Sequence, residues 1–316
     1  MEKKGSEYAP VVLFVYNRSE HVKKTLERLN ILEEAPKTDL FIFSDAPKNE
    51  KSIADVKKVR EEILHFKEEC SVFKSVKIIK QNENKGLANS IISGVTKIIN
   101  VYGYVIVLED DLIVADDFLS YMNEALKFYQ DSENIWAISG YTFPLKAFRE
   151  YKGDVYLSGR GCSWGWATWK NRWETVDWQV LDYPKFKFNY KERKAFAQWG
   201  KDLPAMLDAY MYGEIQSWAI RWCYSAFRQN KYTVYPVLSR VVNEGTDGSG
   251  TNFSKVENRY DTILTKSKHS CTFFMPKVEK KIKKEFSNKY LKWDEKLKLY
   301  IRWMLIRLGI LSAHKR

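Results

Sequence analysis

The alternation of short apolar runs with helix-type patterns constrains the fold of this chain more than any other feature. Four apolar runs lie in the first third of the sequence, at residues 11–16, 40–44, 76–79 and 104–108. Runs of this length are typical of strands buried on both faces of a parallel sheet. Between them, apolar residues recur at helical spacing in 21–32, 53–66 and 87–99. We therefore predict an α/β fold with a mostly parallel sheet and right-handed crossovers.

Polar residues follow each of the four predicted strands. They are Arg18, Asp45, Lys85 with Gly86, and the consecutive acids Glu109, Asp110 and Asp111. The carboxyl ends of parallel strands meet at one edge of a sheet, and ligands of such sheets bind there. We expect the functional site at this edge.

The pattern changes from about residue 135. Short strands follow, with a tryptophan-rich segment, a helix near 214–229 and a glycine-rich segment at 245–250. No linker rich in Pro, Gly or Ser separates this part from the first. We predict one domain over residues 1–270 and a basic helical tail over 271–316.

The composition limits the partners and the location. The net charge is +12, and residues 277–316 contain 13 Lys or Arg against 4 Asp or Glu. Such a tail attracts nucleic acid or an anionic membrane. The four cysteines lack C-x-x-C spacing, which argues against zinc and against a disulfide framework. The start lacks an apolar signal segment and no apolar run reaches the roughly 18 residues of a membrane span, so we expect a cytoplasmic protein.

Three consecutive carboxylates end the fourth predicted strand. Glu109 and Asp111 are two residues apart in an extended chain, so they can share a face. Carboxylate oxygens are the ligands that Mn²⁺ and Mg²⁺ prefer, together with substrate phosphates and water. The alternative is an acidic helix N-terminus, because a helical stretch that ends near Tyr129 follows Asp111.

Five sequence segments together resemble GT-A fold glycosyltransferases of bacterial polysaccharide assembly, related to the N-acetylglucosaminyltransferase that begins complex N-glycan synthesis. The segments are VVLFVYNR, FSDAP, NKGLANS, VIVLEDDL with VADDF, and SGRGCSWGWATW. The resemblance covers about residues 10–255. It implies a nucleotide-sugar-binding half at about 10–130, an acceptor-binding half at about 135–260 and a UDP-sugar donor.

The resemblance also implies roles for individual residues at the predicted edge. Asp111 would be the main metal ligand, and Asp110 and Glu109 would face the donor ribose and sugar. The uridine would be held by Arg18 and by Asp45, which would accept from uracil N3–H. The alternative for Asp45 is turn formation before Ala-Pro.

Lys85 would act as a cationic clamp near the base or the diphosphate. A solvated lysine at a helix start is the alternative. The glycines of segment 158–169 would let the backbone approach a ligand closely, and Trp164 and Trp166 could stack on sugar rings. Trp169 and Trp173 lie four residues apart and are interpreted as packing residues of a helix.

Inversion at the anomeric carbon needs a base that deprotonates the acceptor hydroxyl. Related enzymes often place a carboxylate just before a helical tryptophan, but here Gln216 and Ser217 precede Trp218. Glu214 is the nearest carboxylate and is preferred, and Asp247 in the glycine-rich segment is the competitor. A retaining transferase on the same fold stays open because of this ambiguity.

The tail has apolar residues at helical spacing, with Lys and Arg between them. The apolar positions run from Leu291 and Trp293 to Leu308. A basic amphipathic helix of this kind predicts attachment to an anionic membrane surface, which suits a lipid-linked acceptor glycan. Packing against the domain or a partner subunit is the alternative.

Two other classes of protein fit less well. A sugar nucleotidyltransferase would usually carry a Gly-rich basic loop after the first strand, where this chain has Asn17-Arg18-Ser19. A non-catalytic nucleic-acid-binding protein would leave the acids at the ligand edge without a role. The sequence therefore predicts an inverting, Mn²⁺- or Mg²⁺-dependent glycosyltransferase in cell-surface polysaccharide or O-antigen synthesis, peripheral on the inner face of the cell membrane. We expect the donor to be a UDP-sugar and the acceptor to be a lipid-linked glycan, and we expect no nucleic acid partner.

Overall fold

The computed structural model describes residues 7–245, 260–265, 270–290, 301 and 303–305. Its strands are β1 Val11–Val15, β2 Asp39–Ser44, β3 Ser75–Lys80, β4 Tyr104–Glu109, β5 Leu112–Val114, β6 Ile135–Ser139, β7 Val155–Ser158, β8 Trp166–Trp169, β9 Tyr232–Pro236 and β10 Val241–Asn243. Its α-helices are α1 Ser19–Asn30, α2 Ile53–His65, α3 Gly86–Tyr102, α4 Phe118–Tyr129, α5 Lys170–Trp173, α6 Tyr183–Phe186, α7 Tyr190–Phe196, α8 Leu203–Met211, α9 Trp218–Arg228 and α10 Lys280–Asn288.

Eight strands form one mixed sheet in the order β3-β2-β1-β4-β8-β6-β9-β7. Strands β3, β2, β1 and β4 are mutually parallel, and β8 pairs antiparallel to β4. Strands β6 and β9 run in the direction of β4, while β7 is reversed. This is the mostly parallel α/β sheet that the sequence predicts, and its order places β4 at the centre.

Strand β1 shows why these apolar runs form central strands. Val11, Leu13 and Val15 are buried in one core, and Val12 and Phe14 are buried in the core on the other face. A strand covered on both faces needs apolar residues at every position, which is why the run is continuous. Helices α1, α2 and α4 cover the first face, and α3, α5 and α9 cover the second.

The chain after the acids differs from the prediction. Residues 112–114 form β5, which pairs antiparallel with β10 in a separate two-stranded ribbon. Helix α4 begins only at Phe118, and Asp117 is its N-cap. The interpretation of Asp111 as part of an acidic helix N-terminus is therefore wrong, because a strand and a turn separate Asp111 from the helix.

The second half of the chain extends the same sheet. Strand β8 lies directly beside β4, so backbone hydrogen bonds cross from the first half into the second. The predicted helix at 214–229 is shorter than expected and begins at Trp218, which leaves Glu214 in the turn between α8 and α9. The reason is local, since Ser217 is the N-cap and its hydroxyl accepts from the Ile220 amide at 3.3 Å.

The described parts of the basic tail contact the domain. Helix α10 buries Ile282 and Phe286, and Phe286 packs against Phe143 and Tyr235. Trp303 is also buried, and its indole N–H donates to the Lys187 carbonyl at 3.3 Å. Most of the predicted amphipathic segment, including Leu291, Trp293 and Leu308, lies outside the described residues. Within the described chain, no helix is long and apolar enough to cross a bilayer.

Candidate active site at the carboxyl edge of the sheet

Four charged residues form what we call the acid cluster: Glu109, Asp110, Asp111 and Arg18. Glu109 is the last residue of β4, and Arg18 lies just after β1, its parallel neighbour. The Arg18 guanidinium donates through Nη2 to Asp110 Oδ1, and to Asp111 Oδ2 at 3.0 Å. The predicted edge therefore brings these residues together, and Asp110 and Asp111 share the arginine.

Helix α1 and the end of β1 hold the acids in place. The Thr25 hydroxyl on α1 donates to the Asp110 carbonyl at 2.9 Å, and the Tyr16 amide donates to Asp110 Oδ2 at 3.3 Å. Asp110 is almost fully buried, while the Asp111 carboxylate keeps 13% of its surface exposed. Asp110 is therefore the more enclosed of the two carboxylates, and Asp111 is the more accessible one.

The acid cluster contains more negative charge than it can neutralise. When all three carboxylates are ionised, they outnumber the single guanidinium and leave an excess of two negative charges. Burial, with the nearby Asp111 and Asp110, raises the pKa of Glu109 to about 8. Burial also raises the pKa of Asp110 to about 6 although Arg18 opposes the shift. A bound cation would relieve both shifts, because an opposite charge favours the ionised carboxylate.

The carboxylates fit a divalent cation of the Mg²⁺ type, provided that other ligands such as phosphate or water complete its coordination. Among the described residues, no group of three or more Asp, Glu, His or Cys side chains is arranged to enclose a metal. Mg²⁺-type sites often use only one or two carboxylates, with phosphates and water as the other ligands. The excess negative charge and the exposed Asp111 oxygens match such an open site.

Residues 244 and 245 contact the acid cluster directly. The Glu244 amide donates to the Asp111 carbonyl at 2.9 Å. A Cβ at Gly245 would collide with Asp111 Oδ2 and lie 2.9 Å from Arg18 Nη1, so only glycine fits here without a shift. Arg18 Nη1 is buried with no hydrogen-bond partner in the structure. The competing base, Asp247, lies outside the described residues.

The Asp45 carboxylate ties the end of β2 to the start of α3. Its Oδ1 accepts from the amides of Ala46 at 2.9 Å and Lys85 at 3.0 Å. Its Oδ2 accepts from the Gly86 amide at 2.9 Å and the Ser90 hydroxyl at 3.3 Å. These bonds use all four acceptor positions of a carboxylate. A uracil N3–H would therefore have to displace one of these donors.

Lys85 lies at the same edge as the N-cap of α3, with an exposed side chain. Helix α3 is 17 residues long, and its N-terminus carries the positive end of the helix dipole. The position thus combines a mobile ammonium group with a helix N-terminus, both of which attract anions.

The tryptophans of segment 158–169 have different environments. Trp166 is a core residue, since it is 1% exposed and lies between Trp173 and Trp218. Its predicted stacking on a sugar is therefore wrong, because no face of the ring is available. Trp169 and Trp173 are buried as the pattern predicts, but Trp169 belongs to β8 rather than to a helix.

Trp164 is half-buried beside the acid cluster. It packs edge-on against Tyr141 at 4.6 Å and Tyr260 at 5.9 Å between ring centroids. The next residue, Gly165, approaches Leu108 so closely that a Cβ there would lie 3.4 Å from its side chain. Since Leu108 precedes Glu109, Trp164 lies near the end of β4 with part of its surface accessible.

Helix α9 begins at the same edge of the sheet. Trp218 in its first turn stacks on Trp166 at 5.0 Å, and Trp166 pairs with Val107 of β4. Glu214 lies four residues before Trp218 and is exposed. Glu214 therefore lies in the turn that leads into this helix.

Sequence reasoning missed two contacts of the acid cluster. Arg18 was assigned to the uridine, and nothing in the sequence indicated that it binds Asp110 and Asp111. Gly245 was interpreted only as part of a flexible glycine-rich segment. An arginine directly after a strand parallel to the acid-bearing strand is a signal that could have revealed the first contact.

Comparisons with known proteins give a strong match to a family model and weaker matches to solved structures. A mannosyltransferase, PcManGT from Pyrobaculum calidifontis, solved with GDP-Man and Mn²⁺, is 12% identical over 71% of this chain and 76% of its own, with a TM-score of 0.37. TarS of S. aureus is 13% identical over 41% of this chain and 21% of its own, with a TM-score of 0.28. At this level neither structure defines the function of this chain. A search of curated proteins gave no match.

The strong match is to a family model. The model of the GNT-I family matches residues 2–174, which is more than half of the chain. These residues contain β1 to β5, the acid cluster and Trp164. The mostly parallel sheet and its acidic carboxyl edge agree with this match, and the chain belongs to the GNT-I family of glycosyltransferases, with a GT-A-type α/β fold.

Proposed function

We propose that this glycosyltransferase is metal-dependent and transfers a sugar from a UDP-sugar to a hydroxyl of a glycan acceptor with inversion. The observation that carries the proposal is the acid cluster. Ionising all three of these carboxylates beside one arginine is costly unless a cation neutralises the excess negative charge, which is why the pKa of Glu109 is raised in its absence. Asp111 would hold Mn²⁺ or Mg²⁺, and the cation would supply Lewis-acid stabilisation of the leaving diphosphate.

The donor would lie along the edge from α3 to the end of β4. Lys85 and the α3 N-terminus provide positive charge for the diphosphate. Asp45 positions both by accepting from the Lys85 and Gly86 amides, so its main contribution is to shape the nucleotide site. Asp110 holds Arg18 in place, and Glu109 is the acid closest to the sheet and would face the donor sugar or ribose.

The acceptor would enter between Trp164 and the start of α9. Trp164 offers an accessible aromatic surface on which a pyranose ring can pack. Glu214 is our choice for the base that removes the proton from the acceptor hydroxyl, because it is exposed and precedes the helix that begins at this edge. Asp247 is the competing choice. Loss of activity in Glu214→Gln but not in Asp247→Asn would support this assignment, and the reverse would overturn it.

The biological setting of the proposal rests on the basic tail. Residues 277–316 carry a large excess of Lys and Arg, which suits attachment to an anionic membrane surface. The setting proposed is the synthesis of a cell-surface polysaccharide, such as an O-antigen, on a lipid-linked acceptor at the inner face of the cell membrane.

Calorimetric titration of UDP with and without Mn²⁺ tests the proposal most directly. Wild type should bind UDP in a metal-dependent manner, and Asp111→Asn should lose this dependence, with a drop in turnover of about 10³-fold. Asp116→Asn is the matched control, because it removes the same charge from an exposed acid that pairs with Arg28. Wild type that ignores UDP with and without metal would refute the donor assignment.

A further inference from the structure

A second site lies away from the acid cluster, between α7, α8 and α10. It is a groove of about 590 Å³, which is within the size range of small-molecule sites. Five lysines line it, and we call it the lysine groove: Lys194, Lys201, Lys280, Lys283 and Lys284. None of the described residues that line it is an aspartate or a glutamate.

Four of the five groove lysines have no carboxylate partner within the described chain. Lys194, Lys280 and Lys284 form no ion pair there. Lys283 bonds to the neutral amide of Gln198 and lies over the Trp199 ring at 4.5 Å. Burial lowers the pKa of Lys283, as expected for a cation that is partly removed from water without a carboxylate nearby.

The arginine of the same groove provides a useful contrast. Arg193 forms two hydrogen bonds to Asp208, at 2.8 and 2.7 Å, so its charge is neutralised. The chain thus pairs the buried arginine at this site, whereas Lys194, Lys280, Lys283 and Lys284 have no carboxylate partner among the described residues. Such an arrangement favours an anion that binds from solution.

Most of the remaining lining of the groove is apolar or aromatic, with three polar amide or hydroxyl side chains among it. Trp303 lies on Arg193 at 5.4 Å, and its ring faces Tyr190 at 6.5 Å. Tyr190 is 58% exposed, and Phe188 and Ile301 nearby are about half exposed. A wall of lysines beside an exposed aromatic and aliphatic wall matches an anionic group attached to an apolar chain.

We propose that the lysine groove binds the diphosphate and the first part of the apolar chain of the lipid that carries the acceptor glycan. A diphosphate suits a concave site with several lysines better than the single charge of one phospholipid headgroup does. A site for general membrane docking would instead place its lysines on a flat surface. This inference rests on the proposed function, because it identifies the lipid of that acceptor.

The position of the groove suits a long acceptor. Pro204 and Ala205 at the start of α8 line the groove, and the turn after α8 carries Glu214. Helix α8 has nine residues, so it is about 14 Å long. A lipid diphosphate in the groove would leave the attached glycan to run along α8 toward the proposed base.

Binding of farnesyl diphosphate to the full chain tests the groove without measuring catalysis. Calorimetry is done in EDTA and repeated with Asp111→Asn and with Lys85→Gln, because the proposed donor site offers both a metal ligand and a lysine to a diphosphate. Wild type should bind, and the double variant K283Q/K284Q should bind about 10-fold more weakly or worse. Lys281→Gln is the matched control on the same helix, because Lys281 pairs with Glu150 outside the groove and should leave affinity unchanged.

Three outcomes distinguish the interpretations. Equal affinity in wild type and in the double variant, with thermal unfolding showing that both are folded, would overturn the proposal. Binding to anionic phospholipid vesicles without binding to farnesyl diphosphate would also overturn it in favour of membrane docking. If wild type binds farnesyl diphosphate but not UDP with Mn²⁺, the groove is supported and the proposed donor site fails.

Discussion

The acid cluster and the lysine groove are opposite solutions to burying charge. At the end of β4, three carboxylates surround one arginine and leave negative charge in excess. In the groove, lysines lie together without a carboxylate among the described lining residues. The first is built around a buried ion pair and the second around flexible, half-exposed side chains. The comparison indicates two ways to present a charge to a ligand. At the sheet edge the charged side chains are fixed by an ion pair, and between the helices they are long side chains that can adjust to the ligand.

The largest difference between the two regions should appear when the arginine is removed. Arg18→Met leaves the buried Asp110 without its cation and should lower the free energy of unfolding by about 3–5 kcal/mol. Urea denaturation measures the loss. The control is Lys24→Met on α1, the helix whose N-cap is Arg18. It breaks the exposed ion pair between Lys24 and Glu244 and should lower the free energy of unfolding by less than about 1 kcal/mol. A similar small loss for both variants would show that the acid cluster does not depend on Arg18.

Gly245→Ala tests how tightly the acid cluster is enclosed. The added Cβ collides with Asp111 Oδ2, so metal-dependent UDP binding should weaken by about 1–3 kcal/mol, the usual cost of overpacking. Calorimetry with Mn²⁺ measures the change. Glu244→Ala is the neighbouring control and should have a smaller effect. Unchanged binding in Gly245→Ala would show that this segment moves away from Asp111 when ligands bind.

The raised pKa of Glu109 predicts how stability depends on pH. A carboxyl whose pKa is higher in the folded state, here about 8 against 4.5, favours folding below its unfolded pKa. That contribution is lost as the pH rises toward 8, by at most about 1.4 kcal/mol per pH unit. In EDTA, wild type should therefore lose stability from pH 6 to 8 relative to Glu109→Gln. Parallel pH profiles for the two proteins would contradict the shift.

The same pH experiment separates the proposed metal from the protein. Mn²⁺ should stabilise wild type more at pH 8 than at pH 6, because protons compete with the cation for the acids. Asp111→Asn should show no such pH-dependent gain. Stabilisation of equal size in both proteins would place the metal elsewhere.

The smallest effect is expected in the lysine groove. Lys283→Met keeps the stem of the side chain and removes a half-buried cation with no carboxylate partner. The free energy of unfolding should stay within about 0.5 kcal/mol or increase, in contrast to the loss in Arg18→Met. A decrease of about 2 kcal/mol or more in the free energy of unfolding would show that Lys283 stabilises the fold rather than serving to bind a ligand.

The sequence predicts the first four strands well, and β1, β2 and β4 most clearly, because these three are buried on both faces, whereas β3 is a half-exposed edge strand. A strand such as β1 must then be apolar at every position, and that pattern survives without knowledge of its neighbours. The short strand β5 has only three residues, too few to show a period, and its pairing with β10 joins residues more than a hundred positions apart. Local patterns cannot reveal such a pair.

The candidate site was predictable in its location but not in its internal contacts. The polar residues after parallel strands identify the edge, because topology alone brings them together. The bridge from Arg18 to Asp110 and Asp111 depends on how α1 leaves β1, which the sequence does not specify. The sequence also does not distinguish Trp164 from Trp166, because the two residues are chemically identical. Only the structure shows that Trp166 is buried in the core and that Trp164 is half-buried.

The reversed strand β8 has an evolutionary consequence. In a parallel sheet, only the loop after a strand reaches the binding edge, and a change in that loop also alters the path to the next crossover. Strand β8 runs against β4, so its preceding loop, residues 159–165, reaches that edge instead. Three positions of this loop are glycines at which a Cβ would lie within 2.8 Å of Trp199, Trp222 or Val241, so they cannot take a larger side chain without a shift. If the acceptor binds at this edge as proposed, its recognition can therefore change only through the other positions of the loop, while the register between Trp166 and Val107 stays fixed.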